Sequence, residues 1–384
     1  MYAGVSQLQG KPAAADKALR ERNGRRLRGT PPGAAQHPLC QPFTAAELAA
    51  ALHKAPARKA AGPDGVHNEF LKHLGPAGQA ALLELYNASW SKGEVPASWR
   101  LAEIIPLLKK DKDESNPESY RPISLTSCMA KVMEHLVKAR LQHFMEANGL
   151  LPPEQAGFRW TRSTVEQIVR VTQDAVDGFA KGHVTQLTLI DFRRCFDRIY
   201  RERLTAMLLD RGVPPPVVRW VSAFIGNRKG AVRCGAHVSE PHTFEDGLPQ
   251  GTVLAPLLMA AFFADLPDAV RGELREIGVS LFADDLAITA EAPSAEECQR
   301  KTQRALDRLD RWSRESLMEV NTDKSETILL VPSHQRARHQ TKENPPVRVV
   351  YRGAPIEYKK AVRFLGVTID EALTFAPHVD RLKG

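Results

Sequence analysis

The sequence predicts an α+β fold in which a helix-backed sheet follows a more helical or irregular unit. Three observations carry this. Helix-opening signals come first along the chain, strand-like apolar runs then alternate with helices, and no segment repeats at a fixed period. With 384 residues, 43% apolar and 26% charged, the chain can bury two or three packed units and is too apolar for wholesale disorder.

Residues 1–40 read as a flexible basic arm, combining Ala, Gly and Pro with Arg20, Arg22, Arg25, Arg26 and Arg28 and showing no apolar period. Seven Lys or Arg against two acids make this segment +5 of the chain's +8. Such a balance permits a polyanionic partner without requiring one.

Order begins at Phe43. Thr44 and Glu47 form a capping box that opens a helix to about His53, with Phe43 set to staple against Leu48. Ser163 with Glu166 opens a second helix toward Phe179, and Ser294 with Glu297 a third toward Trp312. In the third, Cys298, Thr302, Ala305, Leu309 and Trp312 recur at helical spacing as a core stripe. Strands are expected at Val184 to Ile190, Val279 to Phe282, Leu286 to Thr289 and Thr327 to Val331. The prolines at Pro152-Pro153 and Pro214 to Pro216 mark loops.

Some function classes drop out. The longest apolar stretch, Val253 to Ala264, contains Pro256 and falls short of the roughly 20 residues that span a bilayer. No secretory signal opens the chain, so an intracellular setting is expected. Five scattered cysteines with no C-x-x-C pair argue against a disulfide framework and a zinc finger.

Chemistry enters through acids at strand ends. Val279 to Thr289 places two apolar runs around Asp284-Asp285, which reads as a tight hairpin tipped by carboxylates. Alone, an Asp pair at a turn is ordinarily a solvated turn. A second run, Gln186 to Ile190, ends in Asp191, with Phe196 and Asp197 close behind. Together the two would converge acids at one edge of one sheet, where like charges repel unless cations neutralise them. Hard divalent ions such as Mg²⁺ suit oxygen ligands, and a pair of them clamps both oxygens of an in-line phosphoryl transfer.

At these residues the chain resembles reverse transcriptases. Phe282-Ala283-Asp284-Asp285 is similar to their Y/F-x-D-D box, and Asp191 to Asp197 to the first catalytic box of the same palm. Gly247 to Leu258 resembles the segment beneath template and nascent pair, Asn321 to Ser325 the lysine-bearing box, and Phe364-Leu365-Gly366 the primer-grip hairpin. Lys59 to Gly65, Tyr120 to Leu125 and Gln155 to Arg159 resemble finger segments of the non-LTR, LINE-type branch. Eight boxes stand in the expected order over residues 54–370.

The resemblance implies a right-hand polymerase palm, a helix-backed antiparallel sheet, with a fingers subdomain and a truncated or absent thumb. It implies fingers over 41–182, palm with interleaved finger helices over 183–345, and a primer-grip hairpin with the start of a thumb over 346–384. Asp191 and Asp284 would hold two Mg²⁺ ions, for which Mn²⁺ can substitute; the Phe192 carbonyl would complete the shell and Asp285 support it. Lys324 would protonate the departing pyrophosphate, with a solvated lysine as the competing view. Lys109 and Arg121 would neutralise the triphosphate, Arg121 being the better matched. Phe196 matches the family's steric gate against a ribose 2′-hydroxyl, although a core aromatic is the plain alternative. Gln250 would offer amide contacts to the dNTP, while Gly251, without a Cβ, would let backbone approach template. Arg159, with Phe364, Leu365 and Gly366, would meet template or primer.

Cys195, Thr252 and Ala255 depart from the family's usual small residues but stay small. The implied partners are an RNA template, a DNA primer and dNTPs, with no membrane. The short lead before the fingers and the end at Gly384 imply that endonuclease or RNase H activity comes from elsewhere. A nuclear site of action is expected. Two rival readings are a group II intron-like maturase and a catalytically silent remnant that binds RNA.

Overall fold

The computed structural model describes residues 12–29, 33–274, 276–332 and 346–383. Its contacts divide the chain into two compact units, residues 1–150 with 196–262 and residues 151–195 with 263–384. This division crosses the linear boundaries expected at 182/183 and 345/346. Residues 151–182 join the second unit, and residues 196–262, expected in the palm, join the first.

The first unit opens with α1 (Ala13–Arg28). The expectation of a flexible arm over 1–40 fails here, while residues 1–11 and 30–32 lie outside the described ones. Asn23, 2% exposed, donates through Nδ2 to the Glu202 carbonyl and carboxylate, each at 2.9 Å. The Tyr200 hydroxyl donates to Asp16 at 2.7 Å, and Arg26 pairs with Asp210. The helix docks through polar anchors, so an apolar-period criterion misses it.

Next come α2 (Ala45–Lys54), α3 (Asn68–Lys72), α4 (Pro76–Lys92), β1 (Leu101–Leu108), β2 (Tyr120–Thr126) and α5 (Cys128–Ala147). The Thr44–Glu47 capping box is formed in full. After the chain returns at residue 196, α7 (Arg201–Asp210), α8 (Pro215–Ile225), β4 (Arg228–Cys234), β5 (His237–Val238), β6 (His242–Phe244) and α9 (Ala255–Phe262) complete the unit. Its strands run β2-β1-β4-β5, with β6 also on β4. A five-stranded sheet therefore stands where a helical or irregular unit was expected. Pro106 and Pro122 hid it, because proline inside a run argues against a strand. They are tolerated since they face each other on the β1–β2 ladder, beyond the Leu101 to Ile104 stretch that pairs with β4. Around Trp220, stacked on Phe224 and tilted against Trp90, the helices close their core.

In the second unit α6 (Thr164–Ala180), capped by Ser163, leads into β3 (Val184–Ile190). There follow α10 (Leu266–Arg271), β7 (Ile277–Phe282), β8 (Asp285–Ala292), α11 (Ala295–Ser316) and β9 (Glu326–Leu330). Short strands β10 (Val350–Tyr351), β11 (Ala354–Pro355) and β12 (Glu357–Tyr358) precede the hairpin β13 (Ala361–Phe364) and β14 (Val367–Asp370), and α12 (Ala376–Lys383) ends the described chain. The main sheet runs β12-β9-β3-β8-β7, with β3 antiparallel to both neighbours. Alternation along β3 assigns its faces. Leu187 packs with Val171 and Ala175 of α6 and with Val362 and Phe364 of the hairpin, whereas Val184 packs with Cys298 of α11. All five members of the expected α11 stripe are buried. Among the described residues no helix is long and apolar enough to cross a membrane.

Candidate active site

Register brings the acids together in the second unit. The β3–β8 ladder ends at Ile190 opposite Leu286, and continuing it by one residue sets Asp191 beside Asp285. Across β8, Phe282 pairs with Asp285, leaving Ala283-Asp284 as a two-residue hairpin loop. Ala283 has φ 61° and Asp284 does not lie in the positive-φ region, the pattern of a turn whose first central residue is left-handed. Glycine usually fills that position.

The placement has an electrostatic consequence. Burial raises the Asp284 carboxyl above its ordinary value, and the charge of Asp191 adds to the rise. Asp285 is pushed up to about 6 by burial, then by Asp284 and Asp191. Among the described residues no lysine or arginine pairs with any of the three acids. Nor does any group of three or more His, Cys, Asp or Glu stand ready to hold a metal ion unaided. Mg²⁺ is ordinarily held by one or two carboxylates completed by water and substrate phosphates. The donor set, hard oxygens with unneutralised mutual repulsion, fits such an ion.

Two residues whose roles the sequence left unread hold Asp191. The Asn321 side-chain amide donates to Asp191 Oδ2 at 3.0 Å, and its backbone N–H to the Asp191 carbonyl at 2.8 Å. The Asp191 N–H donates to Ser325 Oγ at 3.2 Å, and Ser325 in turn donates to the Asn321 carbonyl at 2.9 Å. The resemblance marks only the lysine of this loop; Asn and Ser in a turn are ambiguous until their partners are known. Lys324 lies between them, exposed. Phe192, 5% exposed, sets its ring edge-on to Phe263 and Trp312, so its backbone is fixed just past Asp191.

Other expected residues sit differently. Arg159 Nη1 donates to the carbonyls of Pro152 and Gln155, at 2.6 and 3.0 Å, so it staples its own loop. Phe364 is a core side chain, 3% exposed, which leaves half-buried Leu365 and exposed Gly366 at the hairpin tip with φ 47° and 90°.

The residues expected to meet nucleotide or template from the sequence, other than Arg159 and the hairpin, belong to the first unit. Phe196 is half-buried, and its carbonyl accepts from the Leu248 N–H at 2.7 Å. Gln250 donates to Asp197 Oδ1 at 3.1 Å, and its carbonyl accepts from the Ser124 N–H at 2.8 Å. Gly251 is required for a reason nearer home than template: at φ 108°, a Cβ there would stand 2.9 Å from the Ser124 carbonyl oxygen. Arg121 is exposed on β2, while Lys109 Nζ donates to the Glu118 carbonyl at 2.8 Å.

A helix-backed sheet carrying acids on a central strand end and on the adjoining hairpin defines the palm of a template-directed polymerase. The chain belongs to the reverse transcriptase (RNA-dependent DNA polymerase) family, whose model matches residues 107–369. It is 31% identical over 342 residues to a probable RNA-directed DNA polymerase from transposon BS of Drosophila melanogaster, covering 88% of this chain and 37% of that protein. It is 27% identical over 343 residues to the RNA-directed DNA polymerase from mobile element jockey of the same fly, covering 88% and 36%. The chain thus spans about a third of the length of these curated relatives. Its fold is similar to that of apo telomerase from Candida tropicalis truncated from its C-terminal domain, with a TM-score of 0.50, 12% identity, and coverage of 77% and 58% of the two chains. Members of the family use divalent metal ions.

Proposed function

We propose that this chain copies RNA into DNA as the polymerase part of a non-LTR retrotransposon protein, joining dNTPs to a primer 3′-hydroxyl. The observation that carries the proposal is the convergence of Asp191, Asp284 and Asp285, close enough that Asp191 raises both of its neighbours, among described residues that offer no pairing cation.

Asp191 and Asp284, with the Phe192 carbonyl, would hold the two Mg²⁺ ions. Bound there, the ions would supply charge neutralisation and lower the pKa of an attacking hydroxyl. The chain's own residues do the rest by positioning. Asn321 and Ser325 orient Asp191, and Asp285 shares the negative field without direct ligation. Lys324 donates a proton to the leaving pyrophosphate. Arg121 binds the triphosphate, with Lys109 secondary because its ammonium is partly engaged by Glu118. Phe196 fills the space of a ribose 2′-hydroxyl, and Gln250, held by Asp197, meets the nucleotide. Leu365 and Gly366 serve the primer end.

Primer extension on poly(rA)/oligo(dT) with Mg²⁺ tests this. Extension by the wild type and its loss in Asp284→Asn are expected. A wild type indistinguishable from Asp284→Asn would eliminate the polymerase reading in favour of a silent RNA-binding remnant.

A further inference from the structure

The left-handed residue in the catalytic hairpin is alanine, and a single buried amide grips it. Gln155, 0% exposed, accepts the Ala283 N–H at Oε1 (2.9 Å) and donates from Nε2 to the Ala283 carbonyl (3.0 Å). Its Oε1 also accepts the Gly157 N–H at 2.8 Å. The side chain thus engages both backbone groups of one residue, as an antiparallel strand partner would.

The surroundings fix the amide in turn. β7 is the edge strand of the main sheet, and residues 154–156 cover that edge. The Leu281 N–H donates to the Glu154 carbonyl at 3.0 Å and the Ala156 N–H to the Leu281 carbonyl at 2.9 Å. Glu154 pairs with Arg271 at 2.5 Å. Gly157 admits the turn at all, since a Cβ there would stand 2.1 Å from the Ala283 nitrogen. A non-glycine residue at φ 61° persists only where its surroundings over-determine it, and here they do.

We propose that Gln155 is a positioning residue for nucleotidyl transfer: it locks Ala283 in the left-handed conformation that aims Asp284 and Asp285. This rests on the polymerase reading of the same carboxylates. The lock demands an amide. A carboxylate would set an oxygen against the Ala283 carbonyl, and an aliphatic chain would leave both backbone groups unpaired in a buried place.

The test uses Gln155→Glu, Gln155→Leu and each combined with Ala283→Gly, since glycine adopts a left-handed turn without a clamp. Both single variants should lower kcat for primer extension by about 100-fold or more, with KM for dNTP changed less than threefold. Ala283→Gly should restore at least about a tenth of the lost rate. Amide exchange at Ala283 should accelerate in both single variants, a readout independent of activity. Unchanged exchange, or a loss of kcat that tracks folded protein and resists the glycine, would overturn the proposal. A wild type with no Asp284-dependent extension would sink the polymerase reading instead, leaving amide exchange to decide whether the clamp exists.

Discussion

Glu134 offers a quantitative test of how the chain holds the loop that carries Gln250 and Gly251. The residue lies on α5 at 0% exposure, and its Oε2 accepts the N–H groups of Val253 and Leu254 at 2.6 and 2.9 Å, just before α9. Among the described atoms Oε1 has no partner. Burial pushes this carboxyl up to about 7 from an ordinary 4.5, against the opposing pull of the two N–H donors and Arg228. That rise corresponds to about 3 kcal/mol of pH-dependent stability. The sign follows from a raised folded-state value: the contribution is fully present below pH 4.5 and is lost as pH climbs through about 7. Glu134→Gln keeps the shape and an acceptor for the two N–H groups but does not titrate. Urea unfolding of both proteins at pH 5 and pH 8 isolates the effect, because every other group cancels in the difference. The variant should gain about 2 kcal/mol or more on the wild type between those pH values. Parallel pH dependences would show that the N–H donors and Arg228 keep Glu134 ionised, and the argument from burial would be wrong.

Three further outcomes can be checked separately. Phe196→Ala should raise rNTP use relative to dNTP by about 10-fold or more in single-nucleotide incorporation; unchanged selectivity would mean the ring only packs. Arg121→Ala should raise the apparent KM for dNTP by about 10-fold, and Lys109→Ala by less because of the Glu118 carbonyl, in steady-state titrations that also show RNA affinity preserved. Gly251→Ala, with φ 108° and the Ser124 carbonyl in the way, should cost about 1–2 kcal/mol for conformation alone plus the clash. Gly149→Ala, with φ 62° and open space around it, should cost the conformational part only; equal shifts in thermal unfolding would deny the contact with β2.

Legibility followed the kind of force at work. The helix starts at Thr44, Ser163 and Ser294 were readable because a local hydrogen bond needs only local sequence: all three side chains cap their helices, with the reciprocal glutamate bond formed at Thr44. The four expected strands of the main sheet are present because burial on both faces writes itself into short, largely apolar runs. The three acids were readable through the boxes around them. What escaped notice depends on partners far along the chain. The sheet of β1 and β2 hides behind facing prolines, and α1 docks through Asn23 without an apolar stripe. The Gln155 amide reaches Ala283 across 128 positions, and nothing in a Gln-Ala-Gly-Phe-Arg string says that its arginine closes its own loop. Phe364 looked like a primer contact because its box does, yet the β13 alternation turns it into the core beside Val362.

The most direct measurement is single-turnover incorporation of one dTMP on poly(rA)/oligo(dT) by Asp191→Asn, Asp284→Asn and the double variant. If the two strands contribute to one reacting centre, each single change should cost about 1,000-fold or more, and the double should be no slower than the worse single. A near wild-type rate in either single variant, or losses that multiply in the double, would contradict the account.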